Sequence, residues 1–242
     1  MTTRSSLAEK TDAELLEAWA ADDRTAGGVL LDRHFDPLHR FFINKVHEDA
    51  VSDLAQDTLL VCVKSRGNFR SESKFRTFLL GIARHQLLHH YRRRKRKEGR
   101  LDPIDPQEES ANSVLEPQRM SSLLVRRREQ ALMLAALRTI PIDYQVVLEL
   151  FFWEDLTGHE CATILEIGLG AVKGRLSRAK LALREALEQA EAPPADKASV
   201  TESMGEWIMG IHDFILAGSP KGAAKLREWD ACDDAEPAAA QA

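Results

Sequence analysis

Eight histidines, three cysteines and 38 acidic side chains give this 242-residue chain the raw material for metal or acid-base chemistry. Their spacing argues against it. Cys62, Cys161 and Cys232 are far apart and odd in number, with neither Cys-x-x-Cys nor Cys-plus-His ligand spacing. No metal centre or disulfide scaffold is indicated, and a reducing compartment fits. His89 and His90 adjoin, but inside a basic segment where charge or contact with a polyanion is the simpler role. The sequence has no Gly-x-Ser-x-Gly elbow and no phosphate-binding glycine loop. The expectation is a protein that is not an enzyme and needs no cofactor. The groups that do fall into patterns work by charge. Asp53, Gln56, Asp57 and Leu60 stand at i, i+3, i+4 and i+7, one helical stripe that is acidic with a single apolar member. A solvated face has no need of leucine. The mixture suits docking of a basic helical partner, with charge orienting the encounter and Leu60 adding buried area; the plainer reading is one exposed leucine, which is common. Farther on, Arg92-Arg-Arg-Lys-Arg-Lys97 sets six cations in a row. Such dense like charges repel unless phosphates neutralise them, which favours a nucleic acid over a solvated charge run or a fraying helix end.

Helices must hold both features. Residues 51–63 carry the acidic stripe, and the polar loop Ser65-Arg-Gly-Asn-Phe-Arg-Ser-Glu-Ser-Lys74 follows. From Phe75 onward, Phe75, Phe78, Leu79 and Ile82 recur on one side as a core stripe. Arg76, Leu80, Arg84, Leu87 and Tyr91 fall off that stripe as a basic and apolar mixture leading into the cations. Upstream, Thr11-Asp-Ala-Glu14 reads as a capping box opening a helix whose buried side is Leu15, Leu16 and Trp19. After Asp22-Asp-Arg-Thr25, a second apolar stripe runs Leu31, Phe35, Leu38, Phe42, with Gly27-Gly28 weakening its start. These aromatic positions read as core rather than as a cofactor box.

From residue 101 to 122 the composition turns to Pro, Glu, Ser, Asn and Gln without a period, as a linker does. Fully extended, such a tether reaches ~80 Å, and two turns of B-DNA occupy ~70 Å, so modules on either side can share one duplex. The second module opens with a basic amphipathic helix from Val125 to Leu137, ending before Ile140-Pro141, and a helix over residues 143–153 carries Val146, Val147, Leu150 and Phe151. Thr157-Gly-His-Glu160 is another capping box, opening a short helix with Cys161, Ile164 and Leu165 inward. Glu166-Ile-Gly168 makes a tight turn into a long helix over residues 170–190, a helix-turn-helix signature. Val172, Leu176, Ala179 and Leu183 face inward along it, leaving Lys173, Gly174, Arg175, Ser177, Arg178 and Lys180 outward where a recognition helix meets the major groove. Gly174 costs ~1 kcal/mol relative to alanine in a helix interior, which close approach of a phosphate or base would justify. A solvated cationic face with an incidental glycine is the other reading. Beyond Ala192-Pro-Pro194, the residues Trp207, Ile208, Ile211, Phe214 and Ile215 form one stripe on a helix over residues 200–216, stopped by Gly218-Ser-Pro220. A lone helix cannot bury that stripe. It docks on the second module or on another protein, either covering a DNA- or partner-binding surface and lowering activity until displaced, or serving as a stabilising fourth wall; residues 233–242 read as disordered.

Hydrophobic content of 44% supports real cores. The net charge of −5 hides an asymmetry, because residues 191–242 hold ten acids and four bases and the rest of the chain is close to neutral. No apolar run approaches the ~20 residues of a membrane span, and the N-terminus lacks a signal-peptide core, so a cytoplasmic protein without membrane insertion is expected.

Asp53-Leu-Ala-Gln-Asp57, Phe75-Arg-Thr-Phe-Leu79 and Ile82-Ala-Arg-His85 with the cations behind resemble region two of extracytoplasmic-function sigma factors, the small promoter-recognition subunits of bacterial RNA polymerase. Ala136-Leu-Arg-Thr-Ile-Pro141 through Val172-Lys-Gly-Arg-Leu-Ser-Arg-Ala-Lys180 resembles region four of the same class. The resemblance covers about residues 11–189. It implies an all-α fold of two small helical domains, with region two at 1–98, a flexible linker at 99–122, region four at 123–190 and a C-terminal helical extension at 191–242. It further implies that Asp53, Gln56, Asp57 and Leu60 bind core RNA polymerase. The minus-ten element would fall to Asn68, Phe69, Arg70, Ser71, Lys74, Arg76, Arg84, His85, Tyr91, Arg92 and Arg93. The minus-35 element would fall to Gly170, Ala171, Lys173, Gly174, Arg175, Ser177, Arg178 and Lys180. Promoter DNA, core polymerase and an anti-sigma factor or other regulator are the implied partners. The chain departs from the family at Phe78, where Trp is usual, at His85, often Asn, at Ala171, usually Thr or Ser, and at Gly174, usually Ser. The last two remove hydroxyls that would meet phosphate. A stand-alone helix-turn-helix regulator is the rival reading, and it leaves the acidic stripe and the six cations idle.

Overall fold

Short-range side-chain chemistry sets where the first helices begin. The computed structural model describes residues 4–69, 74–97, 125–202, 204 and 208, which are helical with no strand among them. They fall into two compact units divided between Leu101 and Asp102. The first holds α1 (Arg4–Ala8), α2 (Asp12–Ala20), α3 (Arg24–Ile43), α4 (Glu48–Ser65), a 3-10 turn at Arg66–Asn68, and α5 (Phe75–Lys97). Thr11 caps α2 as expected: the Glu14 N–H donates to its hydroxyl, and its own N–H donates back to the Glu14 carboxylate at 2.8 Å. Asp23 starts α3 by accepting from the N–H groups of Thr25 and Ala26. That cap fixes where α3 begins, and the two glycines that follow differ in role. A Cβ on Gly27 would lie 2.6 Å from Trp19 Nε1, so the missing side chain lets α2 and α3 close on each other. Arg33 then ties the corner, donating to Asp12 at 2.7 Å and to the carbonyls of Ala8 and Lys10, while His34 Nε2 lies 2.6 Å from the same carboxylate. Burial alone would raise the Asp12 carboxyl, but these partners outweigh it and hold the group below its ordinary value.

The inner face of α3 is Ala26, Val29, Leu30, His34, Leu38, Phe41 and Phe42; Leu31 and Phe35, expected inside, are half-buried at its edge. The expected stripe of α5 needs a similar correction. Phe75 and Leu79 are buried as anticipated, but Phe78 and Ile82 are marginal, and Leu80, Ala83, Arg84, Leu87, Leu88 and Tyr91 are buried instead. The reason is that α5 packs against both α3 and α4, so more than one side of it is core. Tyr91 donates its hydroxyl to the backbone carbonyl of Lys45, whose own ammonium lies 4.3 Å from the Phe41 ring centroid in a fully buried site. On α4, Cys62 is fully buried and that burial pushes its thiol up to about 12.

The second unit holds α6 (Val125–Thr139), α7 (Ile142–Phe152), α8 (Gly158–Leu165), α9 (Leu169–Gln189) and α10 (Pro194–Glu202). Helix α7 is buried almost all round, and α6, α8 and α10 each pack against α9 as well. Thr157 and Glu160 form the anticipated capping box of α8. Residues beyond α9 join this unit. Where the sequence suggested a break at Pro193-Pro194 and a helix from about residue 200, α10 already begins at Pro194, which a first helical turn accepts because its N–H groups have no helical partner anyway. Val200, Met204 and Ile208 are buried at successive i+4 steps. Trp153 Nε1 donates to the Ile208 carbonyl at 2.7 Å, and Lys197 Nζ donates to the Glu188 carbonyl at 2.8 Å. The expected linker at 99–122, Trp207, Ile211, Phe214, Ile215 and the stop at Gly218-Ser-Pro220 lie outside the described residues.

Candidate nucleic-acid interface and acidic docking face

Helix α4 separates its two faces cleanly. Val51, Leu54, Ala55, Thr58 and Cys62 point into the unit, and Asp53, Gln56 and Asp57 are exposed on the other side. Leu60 is 56% exposed in line with them, and Val63, which the stripe argument missed, is 40% exposed one turn farther on. Two neighbouring apolar side chains flanked by carboxylates make a stronger surface for a partner than one leucine does. Val63 was legible in principle, since it stands at i+3 from Leu60 and off the inner face.

The groups expected to meet the minus-ten element divide. Lys74, His85, Arg92 and Arg93 are exposed, and Arg76 is half-buried. Phe69 is half-buried, with ring centroids 5.3 Å from Phe78 and 6.2 Å from Phe75, so an aromatic cluster closes the start of α5. Arg84 and Tyr91 are corrections: both are below a tenth exposed, Tyr91 with its hydroxyl on the Lys45 carbonyl, because more than one side of α5 is core. Asn68 lies on the 3-10 turn, while its side chain and residues Arg70 and Ser71 lie outside the described residues.

On α9 the first helical turns present Gly170, Ala171, Lys173 and Arg178 to solvent, with Gly174 and Ser177 half-buried beside them. Nothing inside the unit demands glycine at 174, where an added Cβ would meet Arg178 Nη1 at an ordinary 3.6 Å. Arg175 and Lys180 do not face outward. Arg175 lies 2.8 Å from the Asp143 carboxylate of α7, with both side chains buried, and Lys180 is 5% exposed. The expected turn before α9 is in place: Glu166 takes the left-handed conformation at φ 56°, and Gly168 is the extended N-cap of α9. Sequence reasoning also passed over Leu181, 51% exposed on the same helix.

These surfaces define a class first: an all-helical protein whose second unit is a helix-turn-helix exposing cations on its second helix, and whose first unit exposes a separate acidic face. The comparisons name the family. The chain matches the models for sigma-70 region 2 over residues 30–97 and sigma-70, region 4 over residues 130–183. The RNA polymerase sigma-H factor of Pseudomonas aeruginosa is 25% identical over 189 residues, 75% of this chain and 96% of that protein. The ECF RNA polymerase sigma factor SigM of Mycobacterium tuberculosis is 28% identical over 181 residues, 74% of this chain and 86% of that one. Among solved structures, CnrH in complex with the cytosolic domain of CnrY is similar in fold, with a TM-score of 0.53 and 22% identity over 75% of this chain and 99% of that one. The chain belongs to the sigma-70 family of RNA polymerase sigma factors, in its extracytoplasmic-function class. Sigma factors are non-catalytic transcription initiation factors, and a free-standing helix-turn-helix regulator does not account for the region 2 match. No described helix is long and apolar enough to cross a membrane.

Proposed function

We propose that this sigma factor docks on core RNA polymerase through Asp53, Gln56, Asp57, Leu60 and Val63, and that it contacts promoter DNA at two separate places. Region two, residues 1–98, opens and reads the minus-ten element with Lys74, Arg76, His85, Arg92, Arg93 and the loop before α5. Region four, residues 123–190, reads the minus-35 element with Lys173, Gly174, Ser177 and Arg178, and residues 99–122 are the tether between them. The chain performs no chemistry of its own and acts in the cytoplasm, where polymerase is. The single observation that carries this reading is the joint exposure of Asp53, Gln56, Asp57 and Leu60 along one face of α4, opposite the buried face of Val51, Leu54, Ala55, Thr58 and Cys62. An anti-sigma factor or other regulator is the further partner of this reading. The described start of the extension, from residue 191 to Ile208, acts as a fourth wall of region four rather than as a cover over DNA. What supports this is that Val200, Met204 and Ile208 are buried while Lys173 and Arg178 stay exposed.

Asp53→Arg with Asp57→Arg tests the docking face. Both positions are exposed, so the double variant should keep the melting temperature within a degree or two and lose core polymerase in a pull-down by at least tenfold. Normal holoenzyme assembly by that variant would refute the assignment.

A further inference from the structure

We infer that the buried Asp143–Arg175 ion pair is a positioning device for promoter reading: it fixes the rotation of α9 so that Lys173, Ser177 and Arg178 meet the minus-35 element in register. The inference rests on the region-four reading proposed above and concerns residues that touch no DNA themselves. Arg175 sits in the N-terminal half of α9, one turn before Arg178 and next to Gly174, where sequence pattern alone would place a DNA contact. Instead its guanidinium lies 2.8 Å from Asp143, with the two side chains 10% and 5% exposed. Asp143 is a well-held anchor. It lies in the first turn of α7, where the helix dipole favours a carboxylate, and α7 is buried along nearly its whole length.

Stability does not explain why such a pair is kept, because a buried ion pair often does no better than apolar side chains of the same size. Its short range does. Val172, Leu176, Ala179 and Leu183 bury the inner face of α9, but apolar contact is non-directional and tolerates small rotations. Opposite charges 2.8 Å apart in a desolvated site lose attraction steeply as they separate, so the pair resists such a rotation. A turn of α9 by ~20° would carry a side chain ~5–6 Å from the helix axis through ~2 Å, enough to lose a base contact.

The test uses the full chain assembled with core polymerase and a promoter duplex selected by the wild-type holoenzyme from a library randomised at the minus-35 element. The quantity read is the affinity ratio between that duplex and one with a scrambled minus-35 element, together with the slope of log affinity against log salt. Asp143→Leu with Arg175→Met replaces both charges by apolar side chains and keeps the fold. It should lower the ratio about tenfold while leaving the salt slope as in the wild type, since no phosphate contact is removed. Lys173→Ala, a direct contact, should instead reduce the slope by ~0.9. An unchanged ratio in the double variant would show that the pair only holds the fold together. A slope reduced as in Lys173→Ala would show that Arg175 meets phosphate directly; either result overturns the inference. A wild-type holoenzyme without minus-35 preference would instead sink the region-four reading, so the two failures are distinct.

Discussion

At position 27 a methyl group would lie 2.6 Å from one indole atom of Trp19 and 2.7 Å from two others, well inside contact distance. Trp19 is only 4% exposed and has little room to swing away. Gly27→Ala should therefore destabilise the first unit by about 1–3 kcal/mol, the usual cost of overpacking. Gly28→Ala, with nothing within 4 Å, should gain roughly 0.5–1 kcal/mol from helix propensity. Chemical denaturation of the two variants beside the wild type checks both signs. Single residues also mark the limit of what sequence shows. The capping boxes at Thr11–Glu14 and Thr157–Glu160 were readable because their whole interaction lies within one helical turn. Arg175 was not, because nothing near it in sequence reveals that Asp143, on another helix, neutralises it. Glu166 was missed for a related reason: the neighbouring Gly168 is the expected bearer of a left-handed turn, yet the chain places an acidic residue there.

Helices as units were more legible than the direction they face. The period of α8 gave the right inner residues and that of α4 the right exposed stripe, because each presents one apolar side. Helix α5 was misread since two helices pack on it, and a single-stripe template then assigns Leu80, Leu87 and Tyr91 to the wrong side. The extension poses the same question, since the apolar stripe read from Trp207 to Ile215 needed a surface and no sequence signal said which. The burial of α10, just before it, against α6 and α9 makes a specific expectation. Val200→Asp would place an unpaired charge at a site with no exposure, and should cost roughly 3–4 kcal/mol in region four and weaken promoter binding. A thermal melt of the full chain and a holoenzyme binding assay measure the two effects. Were the extension a removable cover, the same substitution would instead strengthen promoter binding.

For the molecule as a whole, net charge is a poor guide to its partners. The −5 total arises from the acidic residues after 190, while the cations that matter are concentrated at the end of α5 and along α9. Arg92 and Arg93 are exposed on α5, so replacing both by Ala should lower holoenzyme affinity for promoter DNA and reduce the salt slope by up to ~2, with no change in polymerase pull-down. Fluorescence anisotropy across a salt series separates that loss from a folding defect. The order of the two regions was readable because each carries a local pattern. The polymerase face depended on exposure, which a stripe of Asp, Gln and Leu can only suggest. The thiol of Cys62 has a further consequence for signalling. Buried on the inner face of α4, with its thiol pushed up to about 12, it holds little thiolate to offer peroxide or disulfide at neutral pH. Burial thus makes this position a poor target for oxidants.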